Sequence, residues 1–465
     1  MKLRTTLFAI ILIIGNYILP EISSAQTIAG GGQHSLVICS DNKAYVCGRN
    51  DYGQLGNGNN SNSNTSVQVS GLTDLIGVAG GIYQSAALQQ NGTVWAWGYN
   101  VYGQLGNGNN SNSNIPVQVN NLTNVIAISG GSYHFLALKQ DGTVWAWGFN
   151  YSGQLGNGSN TNSNVPVQVS GLSNVIAITG GGVHSLALKQ DGTVWSWGFN
   201  DYGQLGNGNT TESNIPVQVN GLTNIIAVAA GSSHSLALKN DGTVWAWGNN
   251  TYSQLGNGTA VTNSSVPMQV SNIINAVNIA GGYNHSLALK SDSTIVSWGL
   301  NNAGQLGNGT INNSNVPVAV NNLSGVIAIA GGDSHSFAMM KNSTVKIWGR
   351  NTEGQLGNGN NLDSSVPVLA SGLCNGSSAV NEIAASSAIS LYPNPASNKF
   401  IINVSSYNKK VEVVITDITG KAIYTSAASE TQNLEVDTKD FAEGIYFVKV
   451  QTENFSQIKK LILTK

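Results

Sequence analysis

The sequence predicts an all-β protein: a seven-bladed β-propeller of four-stranded blades followed by a small C-terminal β-sandwich. Three observations carry this. The stretch GQLGNG starts at Gly53, Gly103, Gly153, Gly203, Gly304 and Gly354, with SQLGNG at Ser253, so a unit of about 50 residues recurs seven times; periods of that length belong to solenoids and propellers. Each unit holds four short runs rich in β-branched and aromatic residues, in the third copy VIAI, FLALK, TVWAWG and VPVQV, bounded by turn chemistry. The 56 glycines and the lack of a 3.6-residue apolar period exclude an α-solenoid.

The N-terminus reads as a targeting segment. MKLR supplies positive charge, TTLFAIILIIGNYIL an apolar run, and SSA before Gln26 a small-residue cleavage site, which predicts a signal peptide over residues 1–25. An uncleaved anchor is the alternative, but the run is short for a span and is interrupted by Gly15 and Asn16. No later run is apolar enough to cross a bilayer, so no transmembrane segment is expected in the mature chain. With 9% charged residues and a net charge of −2, the chain offers no basic surface for nucleic acid or an anionic membrane.

Residues 26–373 are assigned to the propeller. Asp141-Gly142, repeated as Asp191-Gly192, Asp241-Gly242 and Asn91-Gly92, reads as a two-residue type I′ hairpin turn. That turn would pair Leu138 with Trp145 and Leu136 with Trp147. All ten tryptophans sit at two equivalent positions of the third strand, so they are expected to pack between blades as core. The six histidines share one position, GGxxH, which Gln84 takes in the second unit. Equivalent atoms around a ring do not converge on a metal, and glutamine is a poor ligand but an adequate hydrogen-bonding substitute. They are read as structural, and no metal or cofactor is expected. In this register Cys39 and Cys47 fall on opposite faces of their hairpin and should not bond each other. Free buried thiols are expected, with a ring-closing bridge from Cys374 to Cys39 or Cys47 as the alternative.

The segments GGxxHSLAL, DGTVWAWG and GQLGNG resemble the repeat of the regulator-of-chromosome-condensation family, over residues 27–373. The resemblance implies a seven-bladed propeller and says far less about activity. The family's founding member is a nuclear exchange factor for a small GTPase that binds chromatin, whereas secreted bacterial relatives include a protein inhibitor of β-lactamases. Evenly spaced units leave no insertion for a nucleotide-displacing wedge, so exchange activity is the least favoured reading.

Strand direction alternates, so the GGxxH turns and the WGxNxxGQLGNG loops open on one face. That face gathers the residues that differ between copies: Tyr83, Tyr133 and Tyr283 before or near the histidine position, Tyr99, Phe149 and Phe199 after Trp-Gly, and Tyr102, Tyr151, Tyr202 and Tyr252 before QLG. Exposed aromatics are what a protein or glycan interface uses; the alternative is that several pack under their own loops. The expected function is a recognition module, not an enzyme, for an extracellular protein or glycan. The alternative is a carbohydrate- or peptide-active enzyme at the central channel, for which two or more convergent carboxylates would be needed. Twelve acidic side chains lie between residues 27 and 373 and none form such a pair in the repeat pattern. The Asn-rich tracts have the polarity of calcium loops but almost no carboxylates, which argues against tight calcium binding.

After Leu373 the composition changes. Residues 374–388 read as a linker, and residues 389–465 as a small sandwich of short strands: KFIINV, VEVVIT, KAIYT, NLEV, GIYFVKV and KKLILTK. LYPNPA from Leu391, DITGK from Asp417, GIYFVKV from Gly444 and the terminal KKLILTK resemble the C-terminal sorting domain of the type IX secretion system of Bacteroidetes. This implies recognition by that machinery, passage through the periplasm and across the outer membrane, and a secreted or surface-attached product.

Overall fold

The computed structural model describes residues 27–259, 262–371, 373–374, 389–392, 396–404, 411–417, 421–428, 433–451 and 456–463. The signal peptide assigned to 1–25, nearly all of the linker, and parts of the LYPNPA and DITGK motifs lie outside them. The chain forms two compact units, one ending at residue 377 and the other beginning at 378.

In the first unit seven four-stranded antiparallel sheets follow one another as blades over residues 28–68, 75–118, 125–168, 175–218, 225–269, 276–319 and 326–369. Every blade is one uninterrupted run of chain, with its strands in sequence order. The innermost strands line a central channel whose narrow part is almost all glycine and alanine: Gly30, Gly80, Gly130, Gly180, Ala230, Gly281 and Gly331. At the channel mouth the GGxxH turns are joined in a closed circle of backbone hydrogen bonds. Ile82 N donates to Ser132 O (3.0 Å), Ser132 N to Gly182 O (3.1 Å), Gly182 N to Ser232 O (2.9 Å) and Ser232 N to Tyr283 O (3.0 Å). Tyr283 N then donates to Asp333 O (3.2 Å), Asp333 N to Gly31 O (3.1 Å), and Gly32 N to Gly81 O (3.0 Å).

The hairpin between the second and third strands differs from the expected one. Lys139 N donates to Thr143 O (3.0 Å) and Gly142 N to Lys139 O (2.9 Å), enclosing three residues, Gln140 to Gly142, with Gly142 at φ 75°. This is a type I turn with a glycine bulge. The Asp141 carboxylate favours it, accepting from Thr143 N (3.0 Å) and Thr143 Oγ1 (2.6 Å). The extra loop residue moves the register by one, so Leu138 faces Val144, Ala137 faces Trp145, and Phe135 faces Trp147. A one-residue shift exchanges the two faces of a strand. The Phe135–Ala137–Trp147 face therefore packs back on the leucine face of the preceding blade, against Leu88, Val94, Ala96 and Leu105. In the sixth and seventh units Ser293 (φ 63°) and Ser343 (φ 65°) occupy the glycine position of this turn. A left-handed non-glycine costs on the order of 1 kcal/mol, so Ser293→Gly is expected to stabilise the protein by about that amount, read as a higher urea midpoint.

The two tryptophans of a strand share one face but differ in burial along it. Trp97, Trp147, Trp197, Trp247, Trp298 and Trp348 are wholly buried between blades, whereas Trp95, Trp145, Trp195 and Trp245 are only half-buried. Lys139, Lys189 and Lys239 place their ammonium groups 5.6–5.8 Å from the indoles of the last three. The expectation that all ten are core therefore holds for six.

The expectation of free thiols gives way to its alternative, the ring-closing bridge, and the opposite-face placement of Cys39 and Cys47 is overturned. Cys39 and Cys47 share one face, in the cluster that also holds Phe337, Ile347 and Leu373. Cys39 is disulfide-bonded to Cys374, with Cα atoms 4.7 Å apart, while Cys47 is a buried free thiol. Ring closure brings Cys374 to the first blade, but which of Cys39 and Cys47 it meets was not readable from residue spacing.

The second unit is a small sandwich. One sheet holds strands Ile389–Tyr392, Lys399–Val404 and Asn433–Asp437; the other holds Ala422–Ala428, Val411–Thr416, Gly444–Gln451 and Ser456–Leu463. Phe400, Ile402 and Val436 from the first meet Val413, Ile415, Val448, Val450 and Leu461 from the second in one core.

Candidate functional site

The loops of the variable face are built by the repeat itself. In the second blade Asn100 Oδ1 accepts from Leu105 N (2.8 Å), and its Nδ2 donates to Asn109 O (3.0 Å) and Ser111 O (2.9 Å), which fastens the Asn-rich tract onto GQLGNG. Leu105 is fully buried below. Gly106, at φ 65°, passes so close to the next blade that a Cβ would lie 2.9 Å from the Trp147 indole. Trp147 Nε1 donates to Gln104 O (2.9 Å). Outside, Asn114 Nδ2 donates to Asn60 Oδ1 of the preceding blade (2.9 Å), and Asn164 and Asn214 repeat the contact. The GQLGNG loops and their asparagines are thus clasps between blades.

The histidines belong to the same clasp. His34 Nε2 donates to Ser85 Oγ of the next blade (2.9 Å), and Ser85 Oγ donates to Gln54 O (2.8 Å). His134, His184, His234 and His285 bind Ser185, Ser235, Ser286 and Ser336 in the same way at 2.8–2.9 Å. Burial drives these imidazoles down to about 3, or about 4 for His134, so they are neutral. Gln84 is the exception because its partner position in the third blade is Phe135; Gln84 Nε2 instead donates to Ser132 O (2.9 Å).

What stands on this scaffold is uneven around the ring. Over the first three blades Tyr83, Tyr99, Tyr102, Tyr133, Phe149 and Tyr151 form one connected cluster. Tyr83 and Tyr99 lie 6.2 Å apart, Tyr102 lies 5.6 Å from Tyr133 and 4.9 Å from Phe149, and Phe149 lies 4.8 Å from Tyr151. Interplanar angles in these pairs run from 47° to 75°. Tyr151 is 67% exposed, and the other five are half-buried against one another. Burial beside the neighbouring tyrosines pushes the Tyr133 hydroxyl up to about 12, so it stays a neutral donor.

The remaining sequence candidates are not part of this cluster. Phe199 and Tyr202 make a separate pair at 6.1 Å. Tyr252 and Tyr283 are exposed, and among the described residues neither has a ring partner. Two residues outside the candidate set join the cluster. Tyr52 lies 5.1 Å from Tyr83 and 4.9 Å from Tyr99, and its place before GQLG matches that of Tyr102, which was the available signal. Arg49 holds its guanidinium 5.1 Å from the Tyr83 ring, fixed by Asp51 (2.6 Å) and Gln33 Oε1 (2.9 Å).

The central channel offers less chemistry. Its mouth, of about 90 Å³, has one carboxylate among its lining residues, Asp333, which burial raises to about 6 despite Arg350 nearby. A second space of about 250 Å³ on the other side of the glycine constriction is lined by Ile28, Ile178, Val228, Ile279 and other small or apolar residues, with Thr27, Ser129, Thr179 and Asn278. Among the described residues no three His, Cys, Asp or Glu side chains are grouped to hold a metal ion.

Blades of this form, with their His–Ser and Trp–Gln clasps, define a repeat propeller of the regulator-of-chromosome-condensation type. Regulator of chromosome condensation (RCC1) repeats match residues 41–88, 91–138 and 141–188, with a second repeat model at 26–54 and 125–154, and the RCC1-like domain matches 165–395. The chain belongs to that class and ends in a secretion system C-terminal sorting domain, matched over residues 390–464. Among solved structures it is similar to human WBSCR16, at 24% identity with a TM-score of 0.64, covering 70% of this chain and 93% of that one. Prp20p from Saccharomyces cerevisiae, described with its binding properties to Gsp1p and histones, matches at 23% identity and a TM-score of 0.64, covering 75% of this chain and 86% of that one. At these identities the likeness shows the fold alone. None of the curated proteins matches the chain. The sorting domain marks the protein for export by the type IX system to the cell surface or beyond.

Proposed function

We propose that the mature protein is an exported, non-enzymatic recognition module whose contact surface is the aromatic cluster over the first three blades. The observation that carries this is its asymmetry. The scaffold repeats seven times, yet the connected rings from Tyr52 to Tyr151 occur on three adjacent blades only, so the repeat's own packing does not require them. Large aromatic side chains with hydroxyl tips supply contact area at low entropic cost and dominate interface energetics.

A protein partner suits this surface better than a glycan. Apart from Tyr151, the rings are half-buried and tilted against one another at contact distance, so neighbours cover part of their faces. Sugar stacking calls for open, flat ring faces. The test uses the mature propeller and its Tyr99→Ala/Tyr102→Ala/Phe149→Ala variant, each probed against fractionated surface proteins and against a glycan array. A protein ligand bound by the parent and weakened at least tenfold by the variant is expected. Equal binding by a correctly folded variant defeats the proposal, and binding to glycans alone replaces the protein partner with a sugar.

A further inference from the structure

The seam that closes the ring, between the seventh and first blades, differs from the other six. No link of chain joins its two blades directly, whereas residues 69–74 and their equivalents carry the chain across each of the other seams. At every other seam a fully buried tryptophan of the following blade donates its indole N–H to the glutamine carbonyl of the preceding one: Trp97 to Gln54, Trp147 to Gln104, and so on to Trp348 and Gln305 (2.8–2.9 Å). At the closing seam Cys47 stands in the tryptophan position, with Sγ 3.5 Å from Gln355 O. A thiol is a weak donor, and Phe337, Met339 and Ile347 of the seventh blade fill the remaining volume. The histidine clasp is longer here as well, 3.2 Å from His335 to Ser35 against 2.8–2.9 Å elsewhere. This is also where the molecule carries its one disulfide among the described residues, joining Cys39 of the first blade to Cys374 just past the seventh, 335 residues apart.

We infer that the Cys39–Cys374 disulfide is a redox-controlled latch on ring closure: in its dithiol form the seventh and first blades part while the other six seams hold. Closure transfers two electrons from the Cys39 and Cys374 thiols to the disulfide of an oxidised dithiol–disulfide donor, which leaves as a dithiol. The two thiol protons pass to that dithiol, and the new S–S bond spans the seam. A dithiol reductant reverses each step. Cys47 is a built-in reporter, since it is fully buried in this seam and in no other.

Two forms of the full-length mature protein test this: wild type before and after reduction with a phosphine, and the Cys39→Ser/Cys374→Ser variant, whose only thiol is Cys47. The rate of Cys47 labelling by N-ethylmaleimide is read alongside hydrogen exchange resolved by blade. Loss of the latch is expected to speed Cys47 labelling at least tenfold and to raise exchange in residues 28–68 and 326–369, with residues 125–269 unchanged. Cys47 remaining as protected as in the oxidised protein overturns the inference. So does exchange rising evenly in all seven blades, or complete unfolding of the reduced wild type, because either makes the bond a general staple. Should the double variant fail to fold, the reduced wild type decides between these outcomes, because it starts from the folded oxidised state.

Discussion

Acidification from pH 7 to pH 4 is expected to unfold the propeller cooperatively, with most of the stability already lost near pH 5. The cause is the histidine circle. Six imidazoles are fully buried, each donating from Nε2 or paired there with a serine, and burial holds them at about 3 to 4 against an ordinary 6.5. The unfolded chain therefore takes up protons below pH 6.5 that the folded chain refuses. Stability is full above 6.5 and falls as pH drops through that value, until the folded-state values near 3 to 4 are reached. Each pH unit in this window costs about 1.4 kcal/mol per histidine, which for six reaches on the order of 10 kcal/mol at pH 5, as large as the whole stability of a typical domain. Thermal melts at half-unit steps from pH 7 to 4 measure it. A melting temperature that stays level down to pH 4 would show instead that the clasps tolerate charged imidazoles.

Trp247→Ala is expected to cost about 3–5 kcal/mol, the range for emptying a buried aromatic site, while Trp245→Ala in the same strand costs about 1 kcal/mol. Trp247 is wholly buried against Leu186, Leu188, Val194 and Val219 of the preceding blade, and its indole donates to Gln204 O (2.9 Å). Trp245 is half-buried, with Lys239 above its ring (5.8 Å) and Thr243 Oγ1 accepting from its Nε1 (3.3 Å). Urea unfolding of both variants checks the ratio. Equal losses would mean that the two positions on this face of the third strand are energetically alike, as the expectation of ten core tryptophans implied.

That comparison also locates where the residues spoke clearly and where they did not. Period, strand content and the bearing of each loop are local properties, and they were legible: every blade, the face carrying the GQLGNG loops and all the described strands of the C-terminal sandwich but Ile389–Tyr392 follow from them. The face of a strand depends on one residue of turn geometry. Asp-Gly read as the two central residues of a hairpin, whereas Lys139 and Thr143 close the loop one residue wider. From that single step came the wrong cross-strand partners for Trp145 and Trp147 and the misplacing of Cys39 opposite Cys47. The aromatic cluster was half legible. Its members were recognisable as variable positions, but which rings meet depends on which blades adjoin, so Tyr83 through Tyr151 converge while Phe199, Tyr252 and Tyr283 stand apart. The disulfide joins the two ends of the ring, which closure of seven units brings together, while its choice of Cys39 over Cys47 is set by contacts that no local pattern encodes.

Gln84 and Phe135 carry a consequence for how such a ring can be rearranged. At the joints where His meets Ser, one blade's surface is equivalent to the next, so whole units could be exchanged, duplicated or deleted with each contact re-formed. The joint between the second and third blades is keyed differently: an ordinary blade after Gln84 would leave its serine without a histidine partner, and Phe135 behind a histidine would leave Nε2 facing a ring. The joint between the seventh and first, with Cys47 facing Phe337, is keyed in a third way. Blades drawn from the stretch 175–319 are interchangeable parts, whereas these two joints act as address marks that number the blades. A gene with its blades reordered is expected to preserve the ring only if both keyed pairs stay adjacent.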